Sequence, residues 1–419
     1  MTVTLLYWLI GIVLFEFLVE LFLDYLNRSA WPLKVPEELM NVYDDAKFQK
    51  QKQYRRVNFQ FGVFSNVFNV LVIIVVLWWG GFAWVDHWSQ EVSSHPIIRA
   101  LVFFGVIGGI SMVLHLPFYL YSTFVIEEKF GFNKTTLATF WSDQSKSVVL
   151  GVVIGAPLLA LIIWFYQLSG THFWVYAWLL VGGFTVLMAM FYTSVILPLF
   201  NKQIPLAQGE LRDAIEQFCQ KTGFKLDNIF VMDGSKRSTK ANAFFSGLGR
   251  KKRIVLYDTL INDLKTPEIV AVLAHEIGHY KLKHTLWGIV TGLIQTGALL
   301  FVFSRVVASP QLSNALGVAE PSFHIGLVAF GLLFTPVSMI IGIVTNYVSR
   351  KNEFAADRYA AIHANGNDLG NALKVISSNA LSNPTPHPLY VFFNYSHPPL
   401  LSRLKTLQNE GHRPDAYRS

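Results

Sequence analysis

FGVFSNVFNVLVIIVVLWWGGFAWV, residues 61–85, runs for 25 positions without a charge. A helix rises about 1.5 Å per residue and the hydrocarbon core of a bilayer is about 30 Å thick, so roughly 20 such residues cross it. Phe61–Val85 therefore reads as a membrane span. Six more stretches pass the same test: Val3–Leu23, Ile97–Tyr121, Val148–Tyr166, Phe173–Phe200, Leu286–Phe303 and His324–Val348. The first is too long for a signal-peptide core and lacks a small-residue cleavage site, so it reads as retained. The composition agrees: 52% of the 419 residues are hydrophobic and only 15% are charged, where a soluble domain carries about a quarter. Disorder, collagen and coiled coil are excluded on the same figures. A single cysteine, Cys219, excludes a disulfide framework or thiolate cluster within the chain and reads as a core residue. The fold class expected is an α-helical multi-pass membrane protein with seven transmembrane helices.

The net charge of +7 could mean nucleic acid, but its distribution points to inward-facing loops. Between the seven spans, alternate connections hold 32 of the 34 Lys and Arg residues; the other two are Arg99 and Arg305. Basic residues stay on the cytoplasmic side, which places the N-terminus outside and the C-terminus inside. Residues 1–200 then form a membrane region with spans one to five. The two long polar stretches, 201–285 and 349–419, face the cytoplasm and are expected to make one discontinuous α+β domain, with spans six and seven (286–348) inserted between its halves. In the first half, Asn228–Met232, Asn242–Phe245 and Arg253–Tyr257 read as short strands. Thr266-Pro267-Glu268 opens a helix with Thr as N-cap, Pro at the first position and an acid against the positive dipole end.

That helix contains His275-Glu276-Ile277-Gly278-His279, the HExxH pattern. Residues four apart share a helix face, so both imidazoles can reach one ion. Zinc suits such ligands and, when catalytic, takes three protein ligands and a water. Glu276 stands beside the first ligand, placed to take a proton from that water. Past His279 the glutamates are Glu320, Glu353 and Glu410. Glu320 falls in an outside loop and Glu410 in the polar tail. Glu353 follows the seventh span, at the same leaflet as His279, and is the expected third ligand. Asp357, one turn on, is placed to hold a ligand imidazole in one tautomer.

The text around these residues carries a family resemblance: GSKRSTKANAFFSGLGRKKRIVLYDTLI (234–261), LAHEIGHYKLKH (273–284), SRKNEFAADRYA (349–360) and YSHPPLLSRL (395–404), with VPEELMNVYDDAKFQKQKQY (35–54) early on. HEIGH followed by a Glu-x-x-x-Asp helix is the gluzincin arrangement, and the whole resembles the integral-membrane type I CAAX prenyl protease family. The resemblance implies one Zn2+ held by His275, His279 and Glu353, with Glu276 as catalytic base. It implies a water-filled chamber lined by the spans. It also implies oxyanion stabilisation by His397, and support of the site or of the substrate's carboxylate by Arg403. From the residues alone, His397 in its Pro-rich loop leans toward a structural role. Asn242 and Ala243 resemble the family's substrate-facing edge strand, and an unpaired edge can take an extended peptide. The run Arg250-Lys251-Lys252-Arg253 could shield that edge or meet anionic lipid.

The expected partners are a peptide or protein substrate, prenylated in the CaaX reading, and the bilayer; no nucleic acid is expected, and the chain is expected to be a monomer. A compact chain without an ER-retention tail points to a bacterial inner membrane rather than the endoplasmic reticulum. A bacterial member would act in quality control of misfolded or mislocalised proteins. A transporter or lipid-binding channel with a four-ligand structural zinc is the rival of another class. Glu16, Glu20 and His115 are costly inside a bilayer and would either line the chamber or form buried pairs. His284, His324, His363, His387 and His412 read as structural or surface residues.

Overall fold

A computed structural model describes residues 2–32, 34–224, 228–246 and 253–411. Six helical stretches are long and apolar enough to cross a membrane: Thr4–Ser29, Asp45–Trp78, Pro96–Glu127, Leu137–Phe200, His284–Val306 and Phe323–His363. Side chains such as Phe64, Trp78 and Leu168 stand exposed on their outer faces. So large an apolar surface is stable only against lipid, where every backbone group must be satisfied within the helix.

The end of the second span differs from the sequence reading, while the break between the fourth and fifth falls where it is expected. The second helix ends at Trp78, and Gly80 at φ +66° turns the chain into a separate helix, Gly81–Val92. The apolar run continues across this turn, so hydropathy alone merges the two pieces; the left-handed glycine separates them. The expected fourth and fifth spans fall in one 64-residue stretch, Leu137–Phe200. A short 3-10 turn, Gly170–His172, with Gly170 at φ +53°, divides it. The halves, Ala156–Ser169 and Phe173–Phe191, pack back on each other as a hairpin, with Tyr166 edge-on to Phe173 at 5.4 Å.

Within the bundle, Phe173, Phe303 and Phe323 meet in pairwise edge-to-face contacts with centroids 5.4–5.9 Å apart. Beside them lies a buried charge cluster. Asp86 accepts two hydrogen bonds from Arg99, at 3.0 and 2.7 Å, and lies 2.6 Å from His324 Nε2. Phe103 packs on the His324 ring at 4.7 Å. Among the intramembrane polar residues, Glu20 accepts from Asn394 at 3.3 Å, and His115 Nε2 meets Asn69 Oδ1 at 2.9 Å.

The polar half carries a four-stranded sheet in the order β1-β2-β4-β3, with β1 Gln203–Pro205, β2 Asn228–Met232, β3 Ala243–Ser246 and β4 Arg253–Tyr257. β2 and β4 are parallel, while β3 runs antiparallel to β4 (Phe244 opposite Val255) and has no strand on its other side among the described residues. Arg250, Lys251 and Lys252 lie outside the described residues. Ile229, Ile254, Leu256, Leu273 and Cys219 share one core with Ala360, Leu369 and Leu407, so residues before and after the last two membrane helices fold together. The helix Phe323–His363 runs 41 residues, roughly 60 Å, without a break even at Pro336. Its first half lies among the membrane helices and its last turns enter this shared core.

Removing one member of a desolvated charge cluster strands the others. Asp86→Ala should therefore lower stability by about 3 kcal/mol in thermal unfolding. His87→Ala, which removes a side chain paired only with exposed Glu91, should leave the transition where it is.

Candidate active site

The motif helix spans Thr266–Lys281. Its N-cap is Lys265, one residue earlier than the expected Thr266, because Glu268 reaches back to accept the Lys265 N–H at 2.9 Å. This helix crosses the end of the helix Phe323–His363 at close range. Gly278 sets the distance: a Cβ there would stand 3.1 Å from Tyr359 Cβ and Cδ1. Any larger residue between the two histidines' turns would push the helices apart.

At the crossing, His279 Nε2 lies 3.2 Å from His275 Nε2 and 3.2 Å from Glu353 Oε1, with His275 Nε2 3.4 Å from Glu353 Oε2. The three ligand atoms fall within 4.8 Å of one another. Glu353 is 5% exposed and its Oε2 has no hydrogen-bond donor among the described residues. Two imidazole nitrogens turned toward each other, with a buried and unsatisfied carboxylate oxygen, form a donor set that fits a divalent cation.

Around this trio the remaining groups fix orientation. His275 Nδ1 lies 2.9 Å from Asp357 Oδ1, and Asp357 is fully buried. Arg403 donates to both Asp357 oxygens, Nη2 to Oδ1 at 2.6 Å and Nε to Oδ2 at 2.8 Å, and its Nη1 stands 3.6 Å from Glu353 Oε2. Burial by itself would lower the His275 pKa, but the Asp357 and Glu353 carboxylates beside it outweigh that and raise the value to about 9. Burial also pushes the Glu276 carboxyl up, against the neighbouring imidazoles, which pull it down. His397 Nε2 lies 3.3 Å from Glu353 Oε1, and its side chain is 65% exposed.

Glu276, Asn242, Ala243, His397 and Arg403 line one cavity with the histidines, about 460 Å³ in volume. All nine residues singled out in the sequence thus meet at one place. Asn242 and Ala243 enter through the sheet edge: the Asn242 carbonyl accepts from Tyr257 N, and its Oδ1 accepts from Ala243 N at 2.9 Å. Arg403 commits Nε and Nη2 to Asp357 and turns Nη1 toward Glu353.

A profile of peptidase family M48 matches residues 205–411, and one described as the CAAX prenyl protease N-terminal region, with five membrane helices, matches 24–202. The chain belongs to the CAAX prenyl protease 1 group of peptidase family M48. Named relatives include a CAAX prenyl protease 1 homolog of Arabidopsis thaliana, 35% identical over 97% of this chain and 98% of its own length. CAAX prenyl protease 1 of Saccharomyces cerevisiae is 33% identical over 95% of this chain and 94% of its own. The crystal structure of S. mikatae Ste24p aligns with TM-score 0.91 at 33% identity, covering 96% of this chain and 99% of that one. This M48 chain is a multi-pass membrane metalloprotease.

Sequence reasoning missed two groups at the M48 site. His284 Nδ1 lies 3.1 Å from His279 Nδ1, a partner for the second histidine as Asp357 is for the first. Its five-residue offset is not a helical spacing; the chain turns at Lys283, at φ +60°, before the next helix begins. The second group holds the edge strand. Lys240 donates to Glu127 Oε2 at 2.8 Å and to the Tyr54 hydroxyl at 3.1 Å, and Tyr54 donates to Glu127 Oε1 at 2.5 Å. No local pattern links positions 54, 127 and 240.

A metal ligand must be a neutral imidazole, so metal competes with the proton on His275. Affinity should rise about tenfold per pH unit up to about pH 9 and then level, measured by chelator competition. Asp357→Asn should weaken metal binding roughly 10- to 100-fold in the same assay.

Proposed function

We propose that this protein is a zinc endopeptidase of the cytoplasmic membrane face, cutting near the C-terminus of prenylated CaaX-type proteins. The observation that carries it is the junction of three convergent ligands, a neighbouring carboxyl group and an open sheet edge in a single cavity. His275, His279 and Glu353 would hold the ion. When bound, zinc supplies Lewis-acid polarisation of a carbonyl and an acidified water. Three ligands rather than four converge among the described residues, which supports a catalytic over a structural metal and weighs against the transporter reading.

Glu276 takes the proton of the attacking water and returns it to the leaving amine. Its raised pKa suits both halves of that task, since a carboxyl nearer neutrality can accept and release at similar cost. The exposed His397 ring faces the same space and donates to the developing oxyanion. Asp357 and Arg403 keep the ligands aligned without touching substrate. The edge strand β3, entered at Asn242-Ala243, would pair with the backbone of an extended substrate beside His275, His279 and Glu353.

Counting the hairpin in Leu137–Phe200 as two crossings supports a seven-helix reading, and the alternation of basic residues supports a catalytic half in the cytoplasm. A bacterial inner membrane and the endoplasmic reticulum would both keep it there; the relatives named above are eukaryotic and weigh toward the second. The name those relatives carry, CAAX prenyl protease 1, supports the prenylated substrate.

Glu276→Gln should retain zinc and lose roughly 10²- to 10⁴-fold in rate. The measurement is cleavage of a prenylated C-terminal peptide by purified protein, with metal content read alongside. Chelation should abolish cleavage by the wild type, and zinc should restore it. Normal cleavage by Glu276→Gln would refute the mechanism.

A further inference from the structure

The chain leaves the motif helix by a strained turn. Leu282 N donates to the Gly278 carbonyl at 2.9 Å, and Lys283 then takes φ +60° and ψ +24°. Left-handed backbone is costly for lysine, and it persists where the surroundings require it. The turn puts His284 at the first position of the helix His284–Val306 and folds its ring back on the site. That ring meets the His279 ring edge-on, with centroids 5.1 Å apart at 73° and Nδ1 3.1 Å from Nδ1. His284 also lines the cavity that holds His275, Glu276, His279 and Glu353. It belongs to the same site, and none of the catalytic steps uses it.

Two Nδ1 atoms at hydrogen-bond distance need one proton between them, so the ligand role of His279 decides which ring donates. His279 Nε2 lies 3.2 Å from both His275 Nε2 and Glu353 Oε1, which makes it the nitrogen turned to the ion site. A neutral imidazole that gives Nε2 to a metal carries its proton on Nδ1. Among the described residues, His284 Nδ1 is the partner that proton meets. His284 must then accept at Nδ1 and keep its own proton on Nε2. The positive end of the helix His284–Val306, where His284 stands, favours that uncharged form over an imidazolium. His275 is served differently, by Asp357 Oδ1 at 2.9 Å from its Nδ1.

We propose that His284 is a positioning residue for the metal: its Nδ1 accepts the His279 Nδ1–H and so fixes the tautomer and ring plane of the second ligand. This rests on the zinc site of the function argued above. The two ligand imidazoles are held by unlike acceptors, a carboxylate for His275 and a neutral ring for His279. A neutral acceptor holds less strongly than a charged one, so its removal costs affinity at the low end of the range for such supports.

The test reads metal directly, with purified full-length protein in detergent. Zn2+ affinity is measured by chelator competition, and the ligand field by the visible absorption of the Co2+-loaded protein. His284→Leu keeps the bulk without an acceptor; it should weaken Zn2+ binding roughly tenfold and shift the Co2+ bands. His284→Asn carries Oδ1 as many bonds from Cα as Nδ1 was. It should stay within about threefold of wild type, with its Co2+ bands in place. Thermal unfolding of the metal-free proteins, expected to be alike in all three, separates a lost hydrogen bond from lost packing. Unchanged affinity and bands in His284→Leu overturn the role of His284 and leave the metal site standing. Equal losses in His284→Leu and His284→Asn overturn it as well, since packing would then be what the ring supplies. A wild type that binds no Zn2+ overturns both readings.

Discussion

The site depends on two carboxylates one turn apart being pressed against two imidazoles one turn apart. Glu353 and Asp357 share a face of one helix, and His275 and His279 share a face of another. The pairing is offset: Glu353 faces the Nε2 atoms of both histidines, while Asp357 takes the far nitrogen of His275. Such a lattice forms only if the helices touch, and Gly278 against Tyr359 provides that contact. Burial then makes the arrangement all-or-none. Fully desolvated, Asp357 must be paired, and Arg403 together with His275 saturates it.

What could be read in advance was whatever is periodic or compositional. HEIGH and the Glu-x-x-x-Asp turn are helical spacings, so their faces followed from the sequence alone, as did the apolar stretches. Interruptions that leave composition unchanged stayed hidden. Gly80 sits inside apolar text, and only its positive φ shows that one run is two pieces. Contacts across long separations stayed hidden too. Nothing local announces that His284 turns back on His279, or that Lys240 finds Glu127. The family resemblance supplied roles for His397 and Arg403 that spacing could not, and it left Arg403 two alternatives. In the structure Arg403 makes a two-pronged pair with Asp357.

A sheet edge that accepts peptide must be both open and rigid, two demands that conflict in an isolated strand. Here rigidity is borrowed from the membrane region. Lys240 is tied to Glu127 and Tyr54 just before β3, and its ammonium lies over the Phe132 ring at 4.5 Å. Arg237, three residues earlier, makes a two-pronged pair with Asp143 and also donates to the Phe200 carbonyl. Main-chain hydrogen bonds Lys134 N to Arg237 O and Thr239 N to Phe132 O bind the same segment to the loop between membrane helices. The strand is thus held without a second strand beside it among the described residues.

The same logic applies to the helix that carries Glu353 and Asp357. The helix Phe323–His363 is continuous, so any rotation of its membrane half about the axis turns Glu353 with it. Bulky rings packed around Phe323 and the Asp86–His324 contact fix that rotation at one end. The shared core around Ala360 and Leu369 fixes it at the other. With both ends clamped, the carboxylates between them have little freedom, and the ligand geometry is set before any ion arrives. Preorganisation of this kind needs a rod long enough to be held at two distant points, which a bilayer-spanning helix provides and a short domain helix would not.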